Sequence, residues 1–184
     1  YPEGLVGSGV KICDVQTQNG IEKLAVINLM GQYGMPTVEN PFNWAKKLVT
    51  NLQEQNIKNI FLDFHAEVTS EKRIMLMMFK NQISAICGTH THVGTDDLQI
   101  FENTAYLTDI GLTGCRDNVI GMDSKIPIQK VTTGIGGHFE VPNSCKSTLQ
   151  MLVVDIDDGK ASSAFKIKKY CNNSKLFITE AFID

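Results

Sequence analysis

The chain has little net charge and few histidines. Lysine and arginine number 17 against 20 aspartates and glutamates, a net charge of −3, and only four histidines occur in 184 residues. No basic–aromatic stripe is present, which argues against a nucleic-acid binder held by phosphate contacts. No apolar run approaches the roughly 18 residues that span a bilayer, so no membrane segment is expected. The start lacks a basic stretch followed by an apolar core, so no secretory signal is read. No Cys-x-x-Cys pair occurs. Cys13, Cys87, Cys115, Cys145 and Cys171 are scattered and odd in number. That pattern predicts reduced thiols in a cytoplasmic protein rather than a disulfide framework. An initiating methionine is also missing. The opening Tyr1-Pro2-Glu3-Gly4 reads as a loop entering a strand, and the expectation is a carboxy-terminal part of a longer protein. A processed amino terminus is the alternative.

What is present suits one domain or a large part of one, with 42% hydrophobic and 20% charged residues. Residues 6–15 and 23–30 read as strands joined at Asn19-Gly20, a strong hairpin signal. Residues 31–40 form a Gly- and Pro-punctuated loop. A helix is predicted over 43–55 with Trp44, Leu48 and Leu52 on its apolar face. Residues 57–64 are almost continuously apolar, the pattern of a buried parallel strand. A second helix starts at Thr69-Ser70-Glu71-Lys72, capped by Thr69 or Ser70, with Glu71 at its positive end and Ile74, Met75, Met78 and Phe79 facing inward. A short buried strand follows at 83–87. Hairpins are read around Glu102-Asn103 and around Asp157-Asp158-Gly159-Lys160. Residues 111–121 read as a loop, and the alternation in 126–133 fits strand or helix. Buried strands interleaved with helices indicate an α/β layered domain.

Three of the four histidines fall in two blocks, each behind a buried strand. His65 lies in Leu62-Asp63-Phe64-His65-Ala66-Glu67, and His90 and His92 lie in Gly88-Thr89-His90-Thr91-His92-Val93. Residues two apart on an extended segment point the same way, so His90 and His92 can aim at one place. If strands 57–64 and 83–87 form a βαβ unit they are neighbours, and all three rings converge at the carboxyl rim where α/β sheets bind ligands. Imidazole is the commonest transition-metal ligand, so the constellation predicts a metal site. Asp63 and Glu67 share His65's side and are candidates to hydrogen-bond the ligands, as are Thr89, Thr91 and Asp109. For Asp63 and Glu67 a cap or surface ion pair is an equal alternative. His138, alone in Gly136-Gly137-His138-Phe139, reads as a loop histidine.

Taken together, Asp63–Glu67 with Thr69–Lys72, the Gly88–Val93 block, and Thr104-Ala105-Tyr106-Leu107-Thr108-Asp109-Ile110-Gly111 resemble the bacterial calcineurin-like metallophosphoesterases of the YmdB type. Asn28-Leu29-Met30-Gly31, Pro41-Phe42 and Val119-Ile120-Gly121-Met122 are similar too. The resemblance runs from Tyr1 to about Asp158. It implies a four-layer α/β/β/α sandwich, of which residues 1–184 would be the carboxy-terminal portion of a single domain. It also implies two transition-metal ions, iron or manganese; imidazole ligands by themselves suit zinc as well. His65 and His90 would hold one ion and His92 the other. The implied activity is phosphodiester hydrolysis, including of cyclic nucleotides, by a hydroxide bridging the two ions. The remaining ligands and the catalytic histidine would lie upstream of Tyr1, in the amino-terminal half of the same protein. That half would be required for activity and would cover the sheet edges and apolar face left open here. A phosphomonoesterase with the same site, and a non-catalytic metal-containing binding domain, are the alternatives. The loop 29–42, with Met30, Tyr33, Met35 and Phe42, could form part of a substrate pocket or simply pack. Self-association is left open.

Overall fold

A seven-stranded sheet carries the histidine blocks. In a computed structural model that describes residues 4–183, its strand order is β1-β2-β3-β4-β6-β5-β11. Residues 1–3, read above as part of a loop, lie outside the described residues. β1 (Val10–Thr17) and β2 (Gly20–Met30) form the hairpin announced by Asn19-Gly20. β2, β3 (Asn59–His65), β4 (Ala85–Thr89) and β6 (Thr104–Leu107) run parallel. β5 (Gln99–Phe101) returns antiparallel to β6 through Glu102 and Asn103, whose φ angles of 44° and 67° are those of a tight primed turn. β11 (Phe182–Ile183) adds a parallel edge beside β5.

Helices α1 (Pro41–Glu54) and α2 (Thr69–Phe79) pack on one face. Ala25, Ile27, Ile60, Leu62 and Phe64 from the strands meet Ala45, Val49, Leu52, Met75, Leu76 and Phe79 there. Each fully buried Ile, Leu or Phe contributes about 1.5–3 kcal/mol. α1 starts two residues earlier than expected. Asn40 accepts from the Phe42 and Asn43 amides, and Pro41 supplies a preset first turn. Its buried stripe is Ala45, Val49 and Leu52, while Trp44 is 50% exposed and donates its indole N–H to Glu39.

The second helix departs further from expectation. Neither Thr69 nor Ser70 caps it; Val68 occupies that position without a side-chain bond. Glu71 is buried and accepts from the Gln32 and Tyr33 amides at 2.9 and 3.2 Å, so it holds the loop after β2 rather than serving the helix end. Ile74 and Met78 face solvent, and Lys72 and Leu76 face inward instead. A buried ion pair has displaced the simple apolar stripe.

The other face of the sheet meets a four-stranded sheet of order β10-β9-β8-β7. β8 (Ser147–Asp157) and β9 (Lys160–Tyr170) supply Leu152, Val154, Ala161 and Ala164 to a second core with Ala85, Leu98, Ile100, Ala105 and Leu107. The β8–β9 turn is fastened to the far end of the first sheet. Lys58 pairs with Asp158 at 2.6 Å, Asn59 accepts from the Gly159 amide at 2.9 Å, and Ser84 donates to the Gly159 carbonyl at 2.9 Å. β7 (Gly114–Cys115) and β10 (Leu176–Glu180) flank the hairpin. The outer face of this sheet leaves Leu149, Met151, Leu176 and Ile178 exposed.

The architecture is therefore mixed α/β and sheet-dominated, with a helical layer and two sheets. α3 (Lys125–Thr133) resolves the open 126–133 segment as helix, yet buries none of its residues. Among the described residues no helix is long and apolar enough to cross a membrane. One expectation is overturned: Cys115 and Cys145 form a disulfide. Pairing of β7 with β8, and the Arg116 amide donating to the Lys146 carbonyl, bring the two backbones together, with Cα atoms 5.6 Å apart. Cys13, Cys87 and Cys171 are free thiols.

Candidate metal centre

The parallel register places Met30, His65 and Thr89 at one level of the carboxyl rim, with Asn28, Asp63 and Cys87 one step below on the same face. A chain of hydrogen bonds follows from that register. Asn28 donates to Asp63 Oδ2 at 2.8 Å, and the Thr89 hydroxyl donates to Asp63 Oδ1 at 2.8 Å. His65 Nδ1 stands 3.0 Å from Thr89 Oγ1. The Thr89 hydrogen is committed to the carboxylate, so His65 Nδ1–H must be the donor and Nε2 carries the lone pair. Burial, reinforced by His90, holds the His65 pKa below its ordinary value, which favours the neutral, ligating form.

His65 Nε2 faces His90 Nδ1 at 3.1 Å, with the rings edge-on at 87°. Two nitrogens each about 2.1 Å from one ion, at angles of about 90° to 109°, stand about 3.0–3.4 Å apart. The pair therefore fits adjacent coordination positions on a single ion. His90 Nε2 lies 3.1 Å from Glu67 Oε2, so the carboxylate fixes the ring from its far side. His92 departs from the expected convergence. Its Nδ1 donates to the Ile120 carbonyl at 2.7 Å, not to the His65–His90 pair. The reason is local: His90 and His92 have φ of 114° and 63°, so the block bends away from the extended geometry that would align both rings. Among the described residues no group of three or more His, Cys, Asp or Glu is placed to hold a metal ion.

Asp109 organises the loop that carries His90 and His92. It is buried, pairs with Lys72 Nζ at 2.9 Å, and accepts from the Thr91 amide at 3.1 Å and the Gly111 amide at 2.9 Å. Thr91's hydroxyl turns to the Val93 carbonyl. Gly88 is required here because a β-carbon would overlap the Thr108 carbonyl and crowd Lys72. The strained histidine backbones are thus held by charge, hydrogen bonds and close packing, the usual condition for strain to persist at a site.

A model of YmdB-like proteins matches residues 1–169. The chain belongs to the YmdB-like family. It is 40% identical over 174 residues to the 2′,3′-cyclic-nucleotide 2′-phosphodiesterase of Bacillus subtilis (strain 168), covering 94% of this chain and 63% of that protein. Among solved structures, it resembles a hypothetical protein from Thermus thermophilus with TM-score 0.80 and 26% identity, over 98% of this chain and 65% of that one. It also resembles a Mycoplasma pneumoniae phosphatase with TM-score 0.71 and 27% identity, over 98% and 59% respectively. The chain therefore spans under two thirds of the length of each of these relatives.

Within this YmdB-like chain, the loop after β2 only partly lines a cavity. A space of about 650 Å³ opens between the first described residues, Asn28, Met30, Val38, Trp44 and Leu48. Phe42 instead packs edge-on against Phe64. His138 is an exposed loop residue. Three contributors escape a reading of the sequence: Asn28, Lys72 and the Ile120 carbonyl. All three lie in blocks that resemble the family, which is their only signal. A lysine beside Glu71 in an apparent helix start carries no mark of burial.

Proposed function

We propose that this chain is the histidine-bearing part of a metal-dependent phosphodiesterase acting on cyclic nucleotides. The observation that carries the reading is the His65 Nε2–His90 Nδ1 pair, 3.1 Å apart and braced from both sides. The name of the B. subtilis relative supports the substrate class. In this reading His65 and His90 hold one ion and His92 holds a second through Nε2. The remaining ligands and the proton donor come from the part of the protein corresponding to what the chain does not cover in its relatives. Iron or manganese fits the family resemblance. Bound transition-metal ions supply Lewis acidity toward phosphate and acidify a water molecule.

The chain's own residues prepare the site. Asn28, Asp63 and Thr89 fix the His65 tautomer. Glu67 orients the His90 ring through its far nitrogen. Asp109 holds the backbone between His90 and His92. The calcineurin-like four-layer sandwich belongs to this proposal, with the uncovered outer face of the second sheet as its motive. A phosphomonoesterase reading draws on the M. pneumoniae structure's description as a phosphatase. A metal-containing binding domain without catalysis is motivated by the incomplete ligand set.

The test uses the full-length protein. Metal content is measured together with hydrolysis of bis-p-nitrophenyl phosphate, p-nitrophenyl phosphate and a 2′,3′-cyclic nucleotide. Two ions per chain and diester hydrolysis are expected, with the hydrolysis lost in both His65→Ala and His92→Ala. Preference for the monoester would replace the diesterase with the phosphatase. Bound metal with no hydrolysis would leave the binding domain, and metal-free protein would overturn all three.

A further inference from the structure

The turn after β7 touches the candidate site at one atom. Val119 and Met122 bond reciprocally, amide to carbonyl, at 3.1 and 2.9 Å, which makes Ile120-Gly121 the centre of a two-residue turn. Both central residues have positive φ, 45° for Ile120 and 95° for Gly121, as a type I′ turn requires. A β-branched residue at such a φ is a true outlier. Packing does not explain it, because Ile120 is 52% exposed. What the conformation achieves is to put the Ile120 carbonyl 2.7 Å from His92 Nδ1.

We infer that the Val119–Met122 turn is a positioning element that fixes the tautomer and orientation of His92. A carbonyl oxygen can only accept, so His92 Nδ1 carries the hydrogen and, in the neutral ring, Nε2 is left with the lone pair that a metal ligand needs. The rest of the segment keeps the carbonyl in place. The Cys115–Cys145 disulfide closes its base, and both Asp117 carboxylate oxygens accept from the Lys146 amide at 3.1 Å. The Asp123 amide donates to the Glu140 carbonyl at 2.8 Å. The role rests on the proposed reading only in its assignment of His92 as a ligand. The tautomer itself follows from this chain alone.

Two variants of the full-length protein test it. Gly121→Val forces a β-branched residue into the left-handed region and should displace the carbonyl; a β-carbon there meets only Leu112, at 3.4 Å, an ordinary contact. Ile120→Asn keeps the carbonyl and suits positive φ better. The readouts are long-range ¹H–¹⁵N spectra of the histidine rings in metal-free protein, and Mn²⁺ affinity by calorimetry. Gly121→Val should lose the Nδ1–H signature at His92 alone, leave the His65 and His90 signals unchanged, and weaken Mn²⁺ binding about 10- to 100-fold. Ile120→Asn should retain both the signature and the affinity. An unchanged His92 signature in Gly121→Val, or equal losses in both variants, would overturn the inference. If wild type binds neither Mn²⁺ nor Fe²⁺, the proposed function fails while the ring spectra still decide the tautomer.

Discussion

Neutralising Asp109 should destabilise the site and the domain together. Its carboxylate and the Lys72 ammonium are each 1% exposed and 2.9 Å apart. Asp109→Asn leaves the shape almost unchanged but strands a buried lysine without a counter-charge. Breaking such a pair from one side costs about 3–5 kcal/mol. For a domain of this size each kcal/mol lowers Tm by about 2–4 °C, so the expected fall is about 6–20 °C. Lys72→Met should cost somewhat less, because the Thr91 and Gly111 amides still serve Asp109. The double variant Lys72→Met/Asp109→Asn holds no unpaired charge. It should therefore be more stable than the sum of the single losses by about 2 kcal/mol or more. Urea unfolding followed by circular dichroism, with m-values checked for constancy, measures all four corners of the cycle. A loss under about 1 kcal/mol for Asp109→Asn, or additivity within about 0.5 kcal/mol, would refute the reasoning.

Thiol titration under native, non-reducing conditions should label exposed Cys171, whose Ser147 hydrogen bond and nearby Arg116 lower its pKa, and spare Cys87, whose pKa burial pushes up to about 12. Unfolding should expose Cys87, and reduction should add two further thiols; no gain on reduction would remove the Cys115–Cys145 bridge. Burial, then Lys168, holds the Lys166 ammonium below its ordinary pKa. An unfolded lysine titrates near about 10.4, so between the two values the unfolded chain binds more protons and stability rises with pH. Below the folded value the penalty is fully present. Lys166→Met should flatten that alkaline rise in the urea midpoint, and an unchanged slope would contradict the assignment. Asn59→Ala removes the acceptor of the Gly159 amide and should speed unfolding while barely slowing refolding, as a stopped-flow chevron would report; the opposite split would place this contact early in folding.

The parts of the molecule that declare themselves in sequence are those decided locally. The turns at Asn19-Gly20, Glu102-Asn103 and Asp158-Gly159 each place Gly, Asn or Asp at a positive φ that few other residues accept: Gly20, Asn103, Asp158 and Gly159. Strands 57–64 and 83–87 are legible as buried because both their faces are covered, and βαβ chirality then makes them neighbours. That is enough to bring His65 and His90 together. It cannot place His92, whose orientation depends on a turn 28 residues away. The inward face of α2 escapes the sequence for the same reason: Glu71 and Lys72 are buried by partners in the β2 loop and after β6, which no helical periodicity encodes. The disulfide needs the β7–β8 register, and cysteine spacing carries no such information. For α3 the deciding signal lies at its ends rather than in its alternation: Pro127 sits in the first turn, and Gly134 at φ 75° closes the last one.

The fastening of the β8–β9 turn has a kinetic side. Its contacts with Lys58 and Asn59 each join residues 100 apart in sequence. Closing a loop of that length costs about 4 kcal/mol in chain entropy, before any contact across it contributes. The βαβ core from β2 to β4 has far shorter loops, and the β8–β9 hairpin can form from its own two-residue turn. The two halves are thus natural candidates to assemble separately and meet late. Lys166 on β9 reaches the Thr95 carbonyl, just beyond the histidine block, only after that meeting. The segment that presents His90 and His92 thus takes part of its restraint from within the βαβ half, through Asp109, and part only across the long-range closure, through Lys166.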